Sequence, residues 1–278
     1  MKDKKPNGTR RTLSTSLLLL LVALVFVTAG TAAWFSISDN TRLYSINMDI
    51  TAGAALRFDL DPHPDISQYV RTLSFSQIAD RIARDYGYDP REGELVPVTT
   101  ENYSVFTLRN GTVKPSDSGA YLEFTLHFMA AEDMYVHLTS ANSRRAEDGT
   151  LITSAIPQLP DAMRISFTIG TDVMVYDPGM GPDSESSQHN FGFVKVFGLP
   201  SADAMVYNEQ NSMFFIKAYK DLPVVVHIWM EGSDPACTDL LRGGDYSIRL
   251  RFEGTDENNV PMTDLYAYRN RKREEEYD

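Results

Sequence analysis

The residues best suited to chemistry are five histidines, and their spacing argues against a zinc peptidase. None of them has the HExxH spacing of a zinc-binding helix. His127 and His137 are predicted to be diagonal neighbours on the polar face of one hairpin. Two imidazoles are too few for zinc, which takes three or four protein ligands, so solvent-facing strand residues are the favoured interpretation. His227 shares a strand face with Trp229 and is predicted to be a hydrogen-bonded core histidine. The five are His63, His127, His137, His189 and His227.

Acidic side chains form the second candidate set. None has the EF-hand spacing with its central glycine and terminal glutamate. The group nearest the C-terminus could hold a calcium ion weakly, although a polar turn is the favoured interpretation. Glycosidase carboxylates have no fixed sequence spacing, and GxSxG, Walker and dinucleotide-binding motifs are missing. We therefore expect no cofactor and no enzyme activity. The acidic sets are Asp59/Asp61, Asp172/Asp177, and Glu231, Asp234, Asp239 and Asp245.

Cys237 is the one cysteine of the 278 residues. No internal disulfide is possible, so the fold must be stabilised by its hydrophobic core. The thiol could form an intermolecular bridge or react, but no local motif marks it as a nucleophile. A small, buried or partly exposed residue is the favoured interpretation.

The charge distribution excludes one class of partner. The first eleven residues are basic, whereas from Trp34 onward the chain carries 21 basic and 37 acidic residues, a net charge of −16. Such a body repels phosphate backbones, so nucleic acid is not an expected partner.

The N-terminal segment has the three parts of an export signal: a basic start, the apolar stretch Leu17–Val27 and a cluster of small residues. Thr31 at position −3 and Ala33 at −1 would allow a signal peptidase to cut before Trp34. The alternative is an uncleaved anchor, because Leu17–Phe35 is just long enough to span a bilayer. Either way the basic end stays in the cytoplasm and the body is exported, to the cell surface or the extracellular space.

The stretch after this segment predicts the first strand of the exported body. Tyr44, Ile46, Met48 and Ile50 alternate with polar residues, which is typical of a strand with one buried face. A break of small residues follows, and alternation resumes at Leu56–Leu60.

One helix is predicted in an insertion between strands, at about residues 74–87. Ser74 and Gln77 have capping-box spacing, apolar residues recur at helical period, and Gly87 ends the pattern. We expect this helix to cap one end of a β core.

The remaining chain is patterned as strands. The clearest hairpin is predicted from Leu122–Phe128 and Met134–Leu138, and another from Ile165–Ile169 and Val173–Tyr176. Asp177–Asn190, rich in Gly, Pro, Ser and Asp, is predicted to be a long surface loop. Val224–Met230 is apolar on both faces and predicts a doubly covered central strand.

Together these elements predict a mainly β protein: an antiparallel β-sandwich or jelly roll of about ten strands with one inserted helix, preceded by an N-terminal hydrophobic helix. The domain organisation is a signal peptide or anchor at residues 1–33, a single β domain at 34–268 and a charged tail at 269–278.

Two stretches resemble known exported proteins. Gly30-Thr31, Trp34-Phe35 and Asp39, leading into an alternating strand, resemble the export signal of the SipW-dependent type in Gram-positive surface proteins, including TasA-like and camelysin-like proteins. Here Ser36-Ile37-Ser38 replaces the commoner acid after the aromatic pair. Ile228–Cys237 with Gly243-Gly244 resembles a C-terminal pattern of exported clostridial-type proteins that carry this signal.

The resemblance implies a jelly-roll domain at the cell surface or in a biofilm matrix. In TasA-type fibres the N-terminal strand of one subunit completes the sheet of the next, so Tyr44, Ile46, Met48 and Ile50 would belong to the donor strand. The leading hypothesis is thus a structural protein that forms fibres or homo-oligomers by strand exchange. The alternatives are an extracellular hydrolase of the camelysin-like peptidase type and a membrane-tethered module that binds a glycan or peptide. That module would use the loops at Asp177–Asn190 and Glu231–Asp245.

Overall fold

The computed structural model describes residues 20, 41–50, 55–140, 149–182, 184–190, 192–200, 205–241 and 243–262. The chain divides into two units, Met1–Asp39 and Asn40–Asp278. The predicted export segment, the segment 34–40 and the charged tail 269–278 lie outside the described residues, apart from Leu20. Among the residues described, no helix has the length and apolar character needed to cross a membrane.

The fold is mainly β. Two α-helices are described, α1 (Phe75–Tyr86) and the four-residue α2 (Leu159–Ala162). The strands, in chain order, are β1 (Thr41–Ile50), β2 (Leu56–Asp59), β3 (Thr72–Leu73), β4 (Glu94–Leu95), β5 (Phe106–Thr107), β6 (Val113–Lys114), β7 (Leu122–Ala130), β8 (Met134–Leu138), β9 (Leu151–Ser154), β10 (Met163–Ile169), β11 (Asp172–Tyr176), β12 (Ser184–His189), β13 (Gly192–Phe197), β14 (Ser212–Ile216), β15 (Leu222–Met230) and β16 (Asp245–Thr255).

Most strands belong to two seven-stranded sheets. Sheet A has the order β14-β8-β16-β1-β3, with β4 also pairing with β1 and β9 with β16. Sheet B has the order β12-β13-β11-β10-β15-β7-β2, and β5 and β6 form a separate hairpin. Most pairs are antiparallel, but β1 runs parallel to β16 and β11 runs parallel to β13. The antiparallel arrangement that the sequence predicts therefore does not hold at these two strand pairs.

One hydrophobic cluster contains side chains from both sheets. The ring of Phe252 on β16 of sheet A lies 6.0 Å from Phe58, 5.3 Å from Phe128 and 6.0 Å from Phe167, which are all on sheet B. Edge-to-face contacts of this kind add to the free energy of burying the rings. These aromatic contacts connect the two sheets.

The predicted helix is confirmed as α1. Ser74 caps it, with the reciprocal bonds of a capping box to Gln77, and Gly87 ends it in the left-handed conformation at φ 77°. Ile78, Ala79 and Ile82 are fully buried, and the helix contacts β1 of sheet A and β7 of sheet B. The helix therefore packs against both sheets.

Strand β15 is covered on both faces, as its sequence predicts. Val226 and Ile228 belong to the shared cluster, whereas Trp229 belongs to a second buried cluster with Phe106 and Tyr121. The β5–β6 hairpin supplies Phe106, whose ring lies 5.3 Å from that of Trp229.

The predicted hairpin of β7 and β8 is wrong. Strand β7 pairs with β15 and β2 in sheet B, whereas β8 pairs with β14 and β16 in sheet A. Each strand buries its apolar face in the shared cluster from its own sheet. Alternation specifies which face is buried but not which strand lies alongside, so two consecutive strands can separate. The hairpin of β10 and β11 is confirmed.

The region predicted as the loop Asp177–Asn190 contains strand β12, so that prediction is also wrong in part. Every residue from Glu185 to His189 is exposed. A strand with no buried face has no hydrophobic alternation, which is the signal that the prediction needed. The pairing of β12 with β13 at the edge of sheet B defines it instead.

Candidate functional site

The strand predicted to be a donor lies within its own chain in sheet A. Ile46, Met48 and Ile50 are buried, as their alternation predicts, but Tyr44 is 74% exposed and Leu43 is buried instead. The pairing of β1 with β16 shifts register between Leu43 and Ser45. This bulge turns Tyr44 outward, and alternation alone gives no sign of it. The predicted cleavage residues Thr31, Ala33 and Trp34 lie outside the described residues.

The structure does not bring His127 and His137 together, so the prediction that they are diagonal neighbours is wrong. His127 is on β7, with its Nδ1 2.9 Å from an oxygen of Asp221. His137 is on β8 and is fully buried, not solvent-facing. Its Nδ1 lies 2.9 Å from Asn211 Oδ1 and its Nε2 lies 3.0 Å from Thr255 Oγ1.

The environment of His137 favours its neutral form. Burial lowers the pKa of His137 to about 4, against the raising effect of its bonds to Asn211. The neutral ring donates from Nδ1 to the oxygen of Asn211 and accepts at Nε2 from the Thr255 hydroxyl. Both ring nitrogens are therefore used in hydrogen bonds. One connects β8 to Asn211, just before β14, and the other connects β8 to β16.

The predicted acidic sets do not converge on a cation site. The described residues include no group of three or more His, Cys, Asp or Glu side chains arranged to hold a metal ion. Asp172 begins β11 and Asp177 follows its other end. Asp177 and Asp234 instead come together around Arg164, a residue that the sequence analysis did not single out. The Arg164 guanidinium lies 3.0 Å from Asp177 and also pairs with Asp234 beside a cavity of about 430 Å³. The two predicted binding loops therefore meet at an ion-pair network.

Cys237 is partly buried and free of any disulfide. Burial raises the pKa of its thiol, with the nearby Arg109 opposing that effect. A thiol that stays protonated is a poor nucleophile, which agrees with the interpretation of Cys237 as a packing residue.

A serine, a histidine and a glutamate lie in line across sheet B. Ser166 Oγ is 3.4 Å from Nδ1 of His227, and Nε2 of His227 is 3.3 Å from Glu123. Glu123 also accepts hydrogen bonds from Tyr86 (2.7 Å) and Ser116 (2.6 Å). Burial raises the pKa of Glu123, but the bonds from His227, Ser116 and Tyr86 outweigh it and hold the pKa at about 2.

This arrangement is like a catalytic triad in composition but not in accessibility. Ser166 is fully buried, and the ring of Phe106 lies 5.2 Å from that of His227. A nucleophile must reach a substrate carbonyl, which a serine with no exposed surface cannot do. The prediction that His227 is a hydrogen-bonded core residue is confirmed.

A cleft of about 500 Å³ lies between β14 of sheet A and β11 and β13 of sheet B. Exposed rings of Tyr135, Phe193 and Phe215 line it together with polar side chains. We call this the β14 cleft. Its carboxylates are Asp172, Glu209 and Glu257.

Lys195 fixes one wall of the β14 cleft to the other. Its ammonium group, on β13, donates to the main-chain oxygen of Ser212 at 2.8 Å and to that of Glu209. Burial lowers the pKa of Lys195, although Glu209 acts against this. A single lysine within the otherwise apolar run Phe193–Phe197 was a signal that sequence reasoning did not use.

Comparisons of the chain with protein-family models, with curated proteins and with solved structures find no match.

Proposed function

We propose that this chain is an exported structural protein of the cell surface or extracellular matrix that acts without catalysis. In this proposal copies assemble into fibres or homo-oligomers by exchanging the first strand. The supporting observation is the position of β1, which pairs on one side with β16, the last of the described strands, and on its other side with the short strands β3 and β4.

Strand β1 fills a groove whose walls come from distant parts of the chain. It pairs in parallel with β16 from Arg42 to Ile50, and among the described strands its other edge meets the two-residue strands β3 and β4. Ile46, Met48 and Ile50 are buried in the shared cluster. Since the same strand of a second copy would make the same contacts, exchange costs little beyond the entropy of association.

We further infer that the two sheets are the layers of a β-sandwich, because Phe252 of sheet A contacts three rings of sheet B. A sandwich lets β1 leave one layer without dismantling the other. The jelly-roll order stays a prediction, and the expected count of about ten strands is below the sixteen that are described.

Export is the premise of this proposal. A signal peptidase would cut between Ala33 and Trp34 and free the segment that leads into β1, whereas an uncleaved segment would tether the body to the membrane. The net charge of −16 from Trp34 onward supports an exported body that does not bind nucleic acid. The separation of His127 and His137 onto different sheets gives the peptidase alternative no support.

Strand exchange can be tested by a disulfide across the groove. Asn47 lies opposite Arg249 in the β1–β16 register, so Asn47→Cys with Arg249→Cys in a Cys237→Ser background places two thiols within bonding range. Expressed from the full chain, this variant should give covalent oligomers on a non-reducing denaturing gel. N-terminal sequencing of the same material determines whether cleavage before Trp34 has occurred.

The matched control is Thr168→Cys with Val173→Cys in the same background. These positions face each other in the β10–β11 hairpin, where exchange is not proposed, so only cross-linked monomers are expected. Cross-linked monomers alone from the β1–β16 pair would refute assembly by exchange of β1. Deleting Trp34–Asn40 should also abolish oligomers if this segment guides the exchanged strand.

A further inference from the structure

Strand β14 is a terminal strand of sheet A with an apolar sequence. It pairs with β8, and in the described part of the chain with no other strand. Strand β12, the terminal strand of sheet B beside β13, is instead polar along its length and exposed from Glu185 to His189. Free backbone groups on a terminal strand can pair with an added extended peptide, and polar side chains discourage this. The β14 edge is therefore the more receptive of the two.

The β14 cleft carries unbalanced negative charge. Asp172, Glu209 and Glu257 are exposed, and none of the three takes part in an ion pair among the described residues. Asp172 accepts one bond, from the backbone N–H of Phe193 at 3.2 Å. The single cation, Lys195, donates to main-chain oxygens of its own chain. A ligand with positive charge would complement this set.

The aromatic side chains fit cations better than sugar rings. Tyr135 and Phe215 are cross-strand partners whose ring centroids are 5.1 Å apart with planes tilted by 58°. Rings tilted in this way do not form the flat platform on which a sugar would lie. They do offer ring faces to ammonium or guanidinium groups, which are attracted to the π face.

We propose that the β14 cleft binds an extended basic peptide segment of a partner protein. In this proposal the peptide backbone adds to the edge of β14 beyond Ser212, whose main-chain oxygen is already bonded to Lys195. Alternate lysine or arginine side chains point into the cleft toward Asp172, Glu209 and Glu257, and their stems pack on Tyr135 and Phe215. The site uses no residue of the β1–β16 groove, so it is independent of the assembly proposed above.

The test uses the full chain in mild detergent and a fluorescent synthetic peptide of alternating lysine and valine. Fluorescence anisotropy should show saturable binding that weakens as salt is raised, because exposed charges are screened. A peptide of alternating glutamate and valine should not bind. Equal binding of both peptides, or binding that does not respond to salt, would overturn the proposal.

Variants separate the contribution of charge from that of the rings. Asp172→Asn with Glu257→Gln should weaken binding of the lysine peptide about tenfold, since each exposed pair contributes modestly. Phe215→Ala should weaken it about fivefold, and Phe215→Tyr, which keeps the ring, should restore it. The control Glu92→Gln removes an exposed carboxylate outside the cleft and should change nothing. Unchanged affinity in the double variant would contradict the proposed site.

Two other occupants are distinguished by the same assay. If a neutral glucose oligomer competes with the lysine peptide at the β14 cleft, the site is a glycan site and the proposal fails. If the lysine peptide binds only after residues 263–278 are removed, the occupant is the chain's own C-terminal segment, and a partner peptide is ruled out. Binding to the full chain that is weakened in the cleft variants supports the proposal.

Discussion

Two sets of polar side chains in the molecule have residue types suited to catalysis or binding. They differ in how many of their polar groups have hydrogen-bond partners within the fold. In the network around Glu123 and His227, polar contacts join these two residues to Ser166, Tyr86 and Ser116, and the ring of Phe106 lies 5.2 Å from that of His227. In the β14 cleft, carboxylates and aromatic rings face the solvent. The ammonium group of Lys195 differs from them because it donates to a main-chain oxygen of the same chain.

This difference separates structural from binding roles. Buried polar groups whose partners are all present stabilise a fold, because losing one partner leaves the others desolvated and unpaired. Exposed groups without partners contribute little to folding and are available to a ligand. The residue types in the Glu123 network include those of a hydrolase, but of these two regions the β14 cleft is the one that a ligand can reach.

The largest effect is expected from two neighbours on β14. Phe214 is buried with its ring 5.3 Å from that of Phe128, whereas Phe215 is 42% exposed. Phe214→Ala should lower the free energy of unfolding by about 3–5 kcal/mol through lost burial and a cavity. Phe215→Ala should lower it by less than about 1 kcal/mol, the contribution of a cross-strand pair. Urea unfolding of both variants measures the difference. Equal losses would mean that the outer face of β14 is also structural.

The mainly β character and helix α1 could be predicted from the sequence because both depend on local signals. Alternation marks a buried strand face, and Ser74, Gln77 and Gly87 mark the two ends of the helix. Pairing partners are not local: β7 and β8 follow each other in sequence but belong to different sheets. This is why the prediction that His127 and His137 are neighbours was wrong.

The β14 cleft could not be predicted for the same reason. Its walls come from β8, β11, β13 and β14, which only the order of both sheets brings together. Tyr135 and Phe215 occupy outward positions of short strands, where an aromatic residue is ordinary by itself. Their pairing across β8 and β14 makes them a surface feature.

The second prediction concerns the pH dependence of the half-buried Glu123. Since the pKa of Glu123 is lowered to about 2 in the fold, its contribution to stability is complete above its unfolded pKa of about 4.3 and is lost as pH falls toward 2. The loss attributable to Glu123 should be about 1–2 kcal/mol, because solvent screens part of the interaction of this partly exposed carboxylate. Glu123→Gln should be less stable than wild type at neutral pH and should lack this part of the acid sensitivity.

Urea unfolding of wild type and Glu123→Gln at a series of pH values between about 5 and 2 measures that loss. The control Glu92→Gln removes an exposed carboxylate and should follow wild type throughout. Parallel curves for wild type and Glu123→Gln would mean that the carboxylate of Glu123 does not depend on its partners, and the contrast with the β14 cleft would disappear.

The smallest effect is expected at the β14 cleft itself, in the absence of any peptide. Asp172→Asn with Glu257→Gln should change the free energy of unfolding by less than about 0.5 kcal/mol, because both side chains are exposed. Any change should be toward higher stability, since like charges are removed from an acidic surface, and it should fade as salt is raised. Asparagine keeps the side-chain oxygen that accepts from Phe193, so the cleft wall is preserved.

A loss above about 1 kcal/mol would show that these carboxylates have structural partners. The β14 cleft would then resemble the Glu123 network, and weaker peptide binding by the same variant could no longer be attributed to a lost contact with the ligand.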